Sequence, residues 1–376
     1  MCCRNHLERL NADAGLEFSA VAAGPADTEA GTMEFFRSRG INGRFIPYRD
    51  PTGVLPWRTR RWPYLHEVEA RQQSHLDQAL KAHVIENAPD CVLIDYLPSA
   101  YFVPSLFSLE IPVVTITLNR EADFYQDMIR HGVPLYGRPT NQIAGLRLRL
   151  AEVFVHWRSR AVVTIGKYDK PPFGRTFWLS PFMDPKPDHW SYSGSRSLFF
   201  VGNQGHFPNR DAIEWLAMRF APELDPSIRL KIVGAERADV PEAWRTHNID
   251  YLGAGDETIL KGLFQSEAAI IAPISNNFGA KFKIVEAIAY GTPIFAPESA
   301  MSGVPFLPWL PRIHLDRPAE VAHAAMKLID DAEAQQRLSD KIRESAAEFV
   351  RSQDGIWGRQ LRSIIGSPKK EVKNLT

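Results

Sequence analysis

The chain has 376 residues, 44% of them hydrophobic and 23% charged, with 44 basic side chains balanced by 44 acidic ones. A net charge of zero excludes a protein built as a whole to coat nucleic acid or an acidic membrane, so any functional basic character is local. The length predicts two domains, and three cysteines (Cys2, Cys3 and Cys91) are too few for a disulfide framework and suit a reducing cytoplasm.

The N-terminus lacks the apolar core of a signal peptide, and no run of 18 apolar residues predicts a membrane span. His6–Asp13 reads as a helix. A doubly wound domain normally opens on its central strand, so either that strand is expected to lie outside this sequence or the first domain is unusual. Strand-like and helix-like segments then alternate. Glu17–Ala23, Arg44–Pro47, Cys91–Asp95, Pro112–Leu118 and Ala161–Ile165 read as strands, with helical patterns at Leu65–Asn87 and Leu146–Arg158. Prolines and glycines crowd Lys170–Ser195, as expected of an interdomain connection. Beyond it, strands are predicted at Ser197–Gly202, Arg229–Gly234, Ile249–Leu252, Ala268–Ala272 and Pro293–Ala296. A helix is predicted over Asn209–Ala221, with Asn209 as its N-cap. The rhythm predicts an α/β protein with parallel sheets covered by helices. Its parts are residues 1–170 joined by the C-terminal helix 354–376, a linker over 171–195, and a second domain over 196–353. Two such domains leave a cleft at the carboxyl ends of their strands, where ligands bind in this architecture.

The most informative stretch is Asn277 to Pro293. It follows an apolar strand, turns at Gly279-Ala280, and opens a helix that ends at Gly291. A helix N-terminus offers free N–H groups and partial positive charge to an anion. Lys281 and Lys283 add full charges there, and Glu286, one turn on, can accept hydrogen bonds from sugar hydroxyls. A phosphate site beside a hydroxyl site points to a nucleotide sugar. Residues two apart point to different sides of a helix, so one lysine suffices for a diphosphate; geometry favours Lys283, with Lys281 kept. The plain alternative for Lys283 and Glu286 is a solvated i,i+3 ion pair.

From about Ser197 to Leu338 the motifs and their order resemble the nucleotide-binding domain of GT-B glycosyltransferases, especially the retaining family often called family 4. The motifs are Leu198-Phe-Phe-Val-Gly202 with Pro208-Asn209-Arg-Asp-Ala-Ile, Leu230-Lys-Ile-Val-Gly234, Tyr251-Leu-Gly253-Ala-Gly255-Asp256, and Gly279-Ala-Lys281-Phe-Lys283-Ile-Val-Glu286 with Gly291-Thr-Pro293. The resemblance implies a GT-B fold, in which two doubly wound Rossmann-like domains face each other across a cleft. It also implies metal-independent, retaining sugar transfer. The first half is similar to the acceptor domain through Val92-Leu-Ile-Asp95, Ile111-Pro-Val-Val and Asn119-Arg-Glu121. Two positions depart from the pattern: Leu118 stands where histidine is common, and Phe278 where many members carry an acid eight positions before Glu286.

On this reading Lys283, Lys281 and Asp95 are the catalytic candidates. Gly202, Gly205, His206, Gly234, Gly253, Gly255, Asn277, Gly279, Ala280 and Glu286 contact the donor, and Asn119 and Glu121 lie on the acceptor side. Plain alternatives stand beside these: Gly205 as a tight turn, His206 as an exposed loop histidine, Asp95 as a turn cap, and Asp256 as the N-cap of Glu257–Gln265. Trp57, Trp62 and Tyr64 with Arg58, Arg60 and Arg61 form an aromatic, basic segment for an acceptor sugar or lipid phosphate, or simply a surface loop. Basic residues in Leu146–Arg158 offer peripheral contact with an anionic membrane face. No metal-ligand spacing and no Asp-x-Asp pair occur, so no cofactor or metal is expected. The expected partners are a nucleoside-diphosphate sugar and a glycan or lipid-linked acceptor, without nucleic acid, at a cytoplasmic location or the inner membrane face. Two other readings remain, a sugar-nucleotide epimerase and a non-catalytic relative that only binds.

Overall fold

Short runs rich in Val, Ile and Phe alternate with longer amphipathic segments, and the chain folds accordingly into parallel sheets with helical crossovers. The computed structural model describes residues 7–48, 74–131 and 138–366, apart from 9, 12, 14–15, 96, 101–102, 168, 170, 172–173, 180–184, 305 and 354. The aromatic and basic segment around Trp57, Arg58, Arg60, Arg61, Trp62 and Tyr64 lies outside the described residues, as do Cys2, Cys3 and the first part of the expected Leu65–Asn87 helix. The chain divides into two units. Unit one is residues 1–165, 169–179 and 354–376; unit two is residues 166–168 and 180–353.

In unit one, β1 (Ser19–Pro25) and β2 (Asn42–Tyr48) pair in parallel around α1 (Glu29–Ser38). A second parallel sheet runs β3 (Val92–Asp95), β4 (Val113–Thr117), β5 (Ala161–Thr164) and β6 (Thr176–Trp178) in spatial order. The helices of this part are α2 (Ser74–Asn87), α3 (Leu97–Ala100), α4 (Glu121–Arg130) and α5 (Arg138–Arg158). All of β4 is buried, as a strand covered on both faces must be. Its Thr115 hydroxyl is satisfied there by Ser159 Oγ at 2.8 Å.

Unit two is a five-stranded parallel sheet. Its strands are β7 (Ser197–Val201), β8 (Arg229–Val233), β9 (Ile249–Tyr251), β10 (Ala269–Ile271) and β11 (Ile294–Phe295), in the spatial order β11-β10-β7-β8-β9. Its helices are α6 (Phe207–Trp215), α7 (Glu257–Ser266), α8 (Phe282–Tyr290), α9 (Pro318–Ile329) and α10 (Ala332–Ser352). From β7 the chain winds one way through β8 and β9, then the other way through β10 and β11. The reversal leaves a crevice at the carboxyl ends of β7 and β10, the switch point at which doubly wound sheets take ligands. Under it the core is aromatic: Phe264 meets Phe199 edge-on at 5.1 Å and stacks on Tyr290 at 5.4 Å. The last helix, α11 (Ile356–Ile365), returns to unit one, where Asp13 accepts from Gly358 N–H at 2.7 Å and Arg175 donates to Ser363 carbonyl at 2.8 Å.

Every strand read from the sequence is present within two residues of its expected ends. Thr176–Trp178 was not among them, because three residues are too few to show a period. It lies in the proline- and glycine-rich stretch and pairs with β5. Further along that stretch, Trp190 is buried in unit two with its indole N–H on Glu267 carbonyl at 2.7 Å. The helix expected over Asn209–Ala221 needs correction. It starts at Phe207, with His206 as the N-cap and Pro208 in its first turn, and after Trp215 it continues as a π-helical turn, Leu216–Phe220. Asn209 is therefore inside the helix and is not its cap. A proline tolerated only in the first turn fixes the start upstream of it.

Candidate functional site

The turns that follow β7, β8 and β9 are laced together by backbone. Gly202 N–H donates to Val233 carbonyl at 2.9 Å, Gln204 N–H to Gly234 carbonyl at 2.9 Å, and Gly234 N–H to Gly253 carbonyl at 2.7 Å. Gly234 has φ +98°, and a Cβ there would come within 2.5 Å of Gly202 carbonyl oxygen. Only glycine permits that contact. A Cβ on Gly202 would meet Asn209 at 2.6 Å and the Lys283 ammonium at 2.7 Å. The bare backbone at Gly202 is thus what lets a cation from α8 reach the end of β7.

Lys283 Nζ donates to Asn209 Oδ1 at 2.8 Å and lies 4.0 Å from the centre of the Phe200 ring. Burial and the neighbouring Lys281 lower its pKa from the usual lysine value to about 7. Lys281 is the N-cap of α8 and folds back, its ammonium donating to Phe278 carbonyl. His206 sits close enough to both lysines that they, after burial, hold its pKa below the ordinary histidine value. Three basic groups therefore converge beside the first turn of α8, at the switch point, where Lys281 lowers the proton affinity of Lys283 and both lysines lower that of His206. An arriving anion reverses that effect.

The remaining candidates take distinct places. Gly205 N–H donates to Asn203 Oδ1 at 2.8 Å, a side-chain turn of the kind asparagine favours in loops. Gly255 packs on β8, a Cβ there meeting Val233 at 2.6 Å, and Gly253 has φ +64° with Glu236 against it. Asp256 caps α7, accepting from Ile259 N–H at 2.8 Å. Gly279 is buried at φ +62°, and its carbonyl accepts from the buried Ser302 hydroxyl, which holds the loop before α8 in place; Ala280 is half-buried and Asn277 is exposed. Glu286 is half-buried, and burial raises its pKa, opposed by Lys186 and aided by Glu257. Among the described residues no ion pair joins Lys283 to Glu286: Lys283 turns to Asn209, Glu286 towards Lys186 and α7. The carrying partners Asn209, Phe200 and Ser302 were not identified from sequence. Asn209 carried a signal, its place in the Pro208-Asn209 motif, but was assigned to capping.

In unit one Asp95 is the last residue of β3, and Glu121 begins α4 and is buried. Asn119 lines a cavity of about 270 Å³ at the carboxyl end of β4, shared with Arg120, Arg149, Glu152, His156 and Asp169. Glu152 and His156, one turn apart on α5, were not anticipated.

Residues 195–331 match the family profile of glycosyl transferases group 1. No curated protein sequence matches the chain. Among solved structures it is similar to Anabaena HepE, in a complex with UDP and glucose, at 14% identity and TM-score 0.61, covering 96% of this chain and 95% of that one. It is similar to sucrose-phosphate synthase of Thermosynechococcus elongatus at 15% identity and TM-score 0.58, covering 86% and 84%. It is also similar to TarM at 11% identity and TM-score 0.54, covering 74% of this chain and 55% of TarM, about half of that protein's length. The fold is GT-B, and the match to the glycosyl transferases group 1 profile falls in its second unit.

Proposed function

We propose, from a GT-B fold with a match to the glycosyl transferases group 1 profile, that this protein transfers a sugar from a nucleoside-diphosphate donor to a hydroxyl of a glycan or lipid-linked acceptor. The observation that carries the reading is Lys283. Its ammonium is held at the carboxyl end of β7 by Asn209 and Phe200, against the bare backbone of Gly202 and beside the first turn of α8. A cation and a helix N-terminus preorganised at one point stabilise the charge that develops on a departing diphosphate. Lys281 and His206 add to that field. Glu286, Gly253 and Gly255 hold the nucleoside, and Asp95, Asn119 and Glu121 serve the acceptor. The leaving group is neutralised without a metal, and configuration is retained, as the resemblance implies.

The setting we propose is the cytoplasm, at the inner face of a membrane, in surface polysaccharide or glycoconjugate synthesis. Among the described residues no helix is long and apolar enough to cross a membrane. Peripheral contact is supported by Leu146, Leu150, Phe154 and Trp157, which are exposed along one face of α5. Phe278 favours a second reading, a protein that binds the donor without transferring from it. Incubation with a panel of nucleoside-diphosphate sugars and acceptors separates the readings. Free nucleoside diphosphate with a lengthened acceptor supports transfer, an isomerised donor indicates an epimerase, and bound but unchanged donor indicates a binding subunit.

A further inference from the structure

The cavity at the carboxyl end of β4 lies wholly within unit one. His156 faces it and is only 2% exposed, yet neither of its ring nitrogens has a hydrogen-bond partner among the described residues. A buried polar group left so costs about 1–3 kcal/mol, and each such group in a native fold calls for a ligand or another explanation. The ring is otherwise well placed. Its helix is anchored at the next turn by Ser159, whose Oγ hydrogen-bonds with the Thr115 hydroxyl of β4 at 2.8 Å, and the His156 carbonyl packs beside Gly174.

The wall chemistry narrows what the cavity takes. Burial keeps His156 neutral, with a pKa of about 4, and a neutral imidazole offers one donor and one acceptor. A hydroxyl complements both; a carboxylate or a phosphodiester only accepts, and an ammonium only donates. Two arginines line the wall, but both are engaged by one carboxylate: Arg149 donates to Asp123 at 2.6 Å and Arg120 pairs with its other oxygen. Asp169 and Glu152 are buried acids on the same wall, so no net positive field draws an anion there. At about 30 Å³ per water, 270 Å³ holds roughly nine waters, the room of one small ring and less than a drug-sized pocket.

We propose that this cavity is a binding site for a neutral, hydroxyl-rich ring the size of one monosaccharide, gripped by His156 and Glu152 of α5 with Asn119 from the β4 end. The proposal does not rest on the transfer reading: it requires binding only. The ring is either the terminal unit of an acceptor or a free sugar.

The test is titration of the full-length chain with neutral methyl glycosides and cyclic polyols, followed by calorimetry and by the imidazole signals of histidine-labelled protein. At least one probe is expected to bind saturably and to shift the signal that His156→Leu removes. His156→Leu is expected to weaken binding at least tenfold. Should that variant fold poorly, Val153→Phe fills the cavity from its wall without removing a polar group, and is expected to abolish binding. In transfer assays, a raised KM for the acceptor in these variants with donor affinity unchanged assigns the ring to the acceptor's end. Binding lost without such a change assigns it to a free sugar. The proposal is overturned if no neutral probe shifts the His156 signal, as for a cavity filled only by water, or if inorganic phosphate shifts it more strongly than any neutral probe.

Discussion

Unit two builds its candidate site from main chain, and unit one builds its cavity from side chains. At the end of β7 the shape is set by Gly202, Gly234 and Gly253, whose N–H and carbonyl groups bond to neighbouring turns, and a single long side chain, Lys283, supplies the charge. At the end of β4 the shape comes from a helix face, and the chemistry from Glu152, His156 and an Arg-Asp-Arg cluster. The first arrangement accumulates positive charge and favours a polyanion; the second compensates its charges and favours a neutral partner. A backbone site tolerates little substitution at its glycines, because an added Cβ meets main chain at Gly234 and side chains of the neighbouring turns and helices at Gly202 and Gly253. Side-chain sites change by single replacements, each with a titration signature of its own.

The contrast breaks first at Lys283. Lys283→Ala is expected to lower kcat/KM for the true donor about 10²- to 10³-fold, as removal of one preorganised charge donor does. Lys281→Ala, whose ammonium is turned back to Phe278 carbonyl, is expected to cost less than about tenfold. Steady-state kinetics with matched melting curves checks both. Equal losses would mean that the two lysines share the diphosphate and that the fold-back of Lys281 is not its working position.

Next in size is Glu152, whose pKa burial raises from 4.5 to about 7, with the Ala122 N–H, at 3.2 Å, opposing. A carboxyl whose folded value is raised gives stability that is fully present below pH 4.5 and is lost as pH rises through about 7. At about 1.4 kcal/mol per unit the loss reaches at most about 3 kcal/mol. Glu152→Gln is uncharged throughout, so its melting temperature is expected to match the wild type near pH 5 and exceed it above about pH 7. Parallel curves at both values would show that Glu152 is not held in an apolar wall.

Gly202→Ala is expected to weaken nucleoside-diphosphate binding by about 1–3 kcal/mol, roughly 5- to 150-fold, because the new methyl displaces Lys283 or Asn209. Gly205→Ala, beside the flexible Asn203 side chain at 3.1 Å, is expected to change it far less. The pair separates a glycine required by close approach from one serving a turn. That distinction also marks what the sequence could tell. The strands of unit two and the order of its glycine motifs were legible, because each motif needs adjacent residues of fixed type in a strand–turn–helix unit. The partners that give the motif its chemistry were not. Asn209 and Phe200 reach Lys283 from other elements of the fold, and local patterning carries no trace of a contact spanning 74 positions. In unit one, Glu152 and His156 are one turn apart on a helix, a spacing shared by countless solvated pairs. Burial alone distinguishes them, and burial is a tertiary property. Asn119 was legible from the Asn119-Arg-Glu121 motif of the resemblance, and it lies two residues past the end of β4, on the cavity wall.

The smallest effect tests the electrostatics of the unit-two site directly. With no ligand, burial and Lys281 hold Lys283 near pKa 7, so above that pH it is increasingly neutral. A diphosphate at the helix start stabilises the ammonium and raises its pKa towards the ordinary lysine value of about 10.4. Between those two values the complex holds a proton that the free protein lacks, so binding takes one up. Affinity is therefore expected to fall as pH rises above about 7, by at most about tenfold per unit. Calorimetric titrations with a nucleoside diphosphate, in buffers of different ionisation enthalpy at about pH 8, measure the uptake directly. Lys283→Ala should abolish it. Neutral rings titrated into unit one should show no uptake that depends on Lys283: His156, with its pKa near 4, is neutral throughout that range, the arginines are paired already, and the group that titrates there is Glu152, with its pKa of about 7. Uptake that survives Lys283→Ala would shift the role to Lys281 or His206, the other two basic groups facing the same turn.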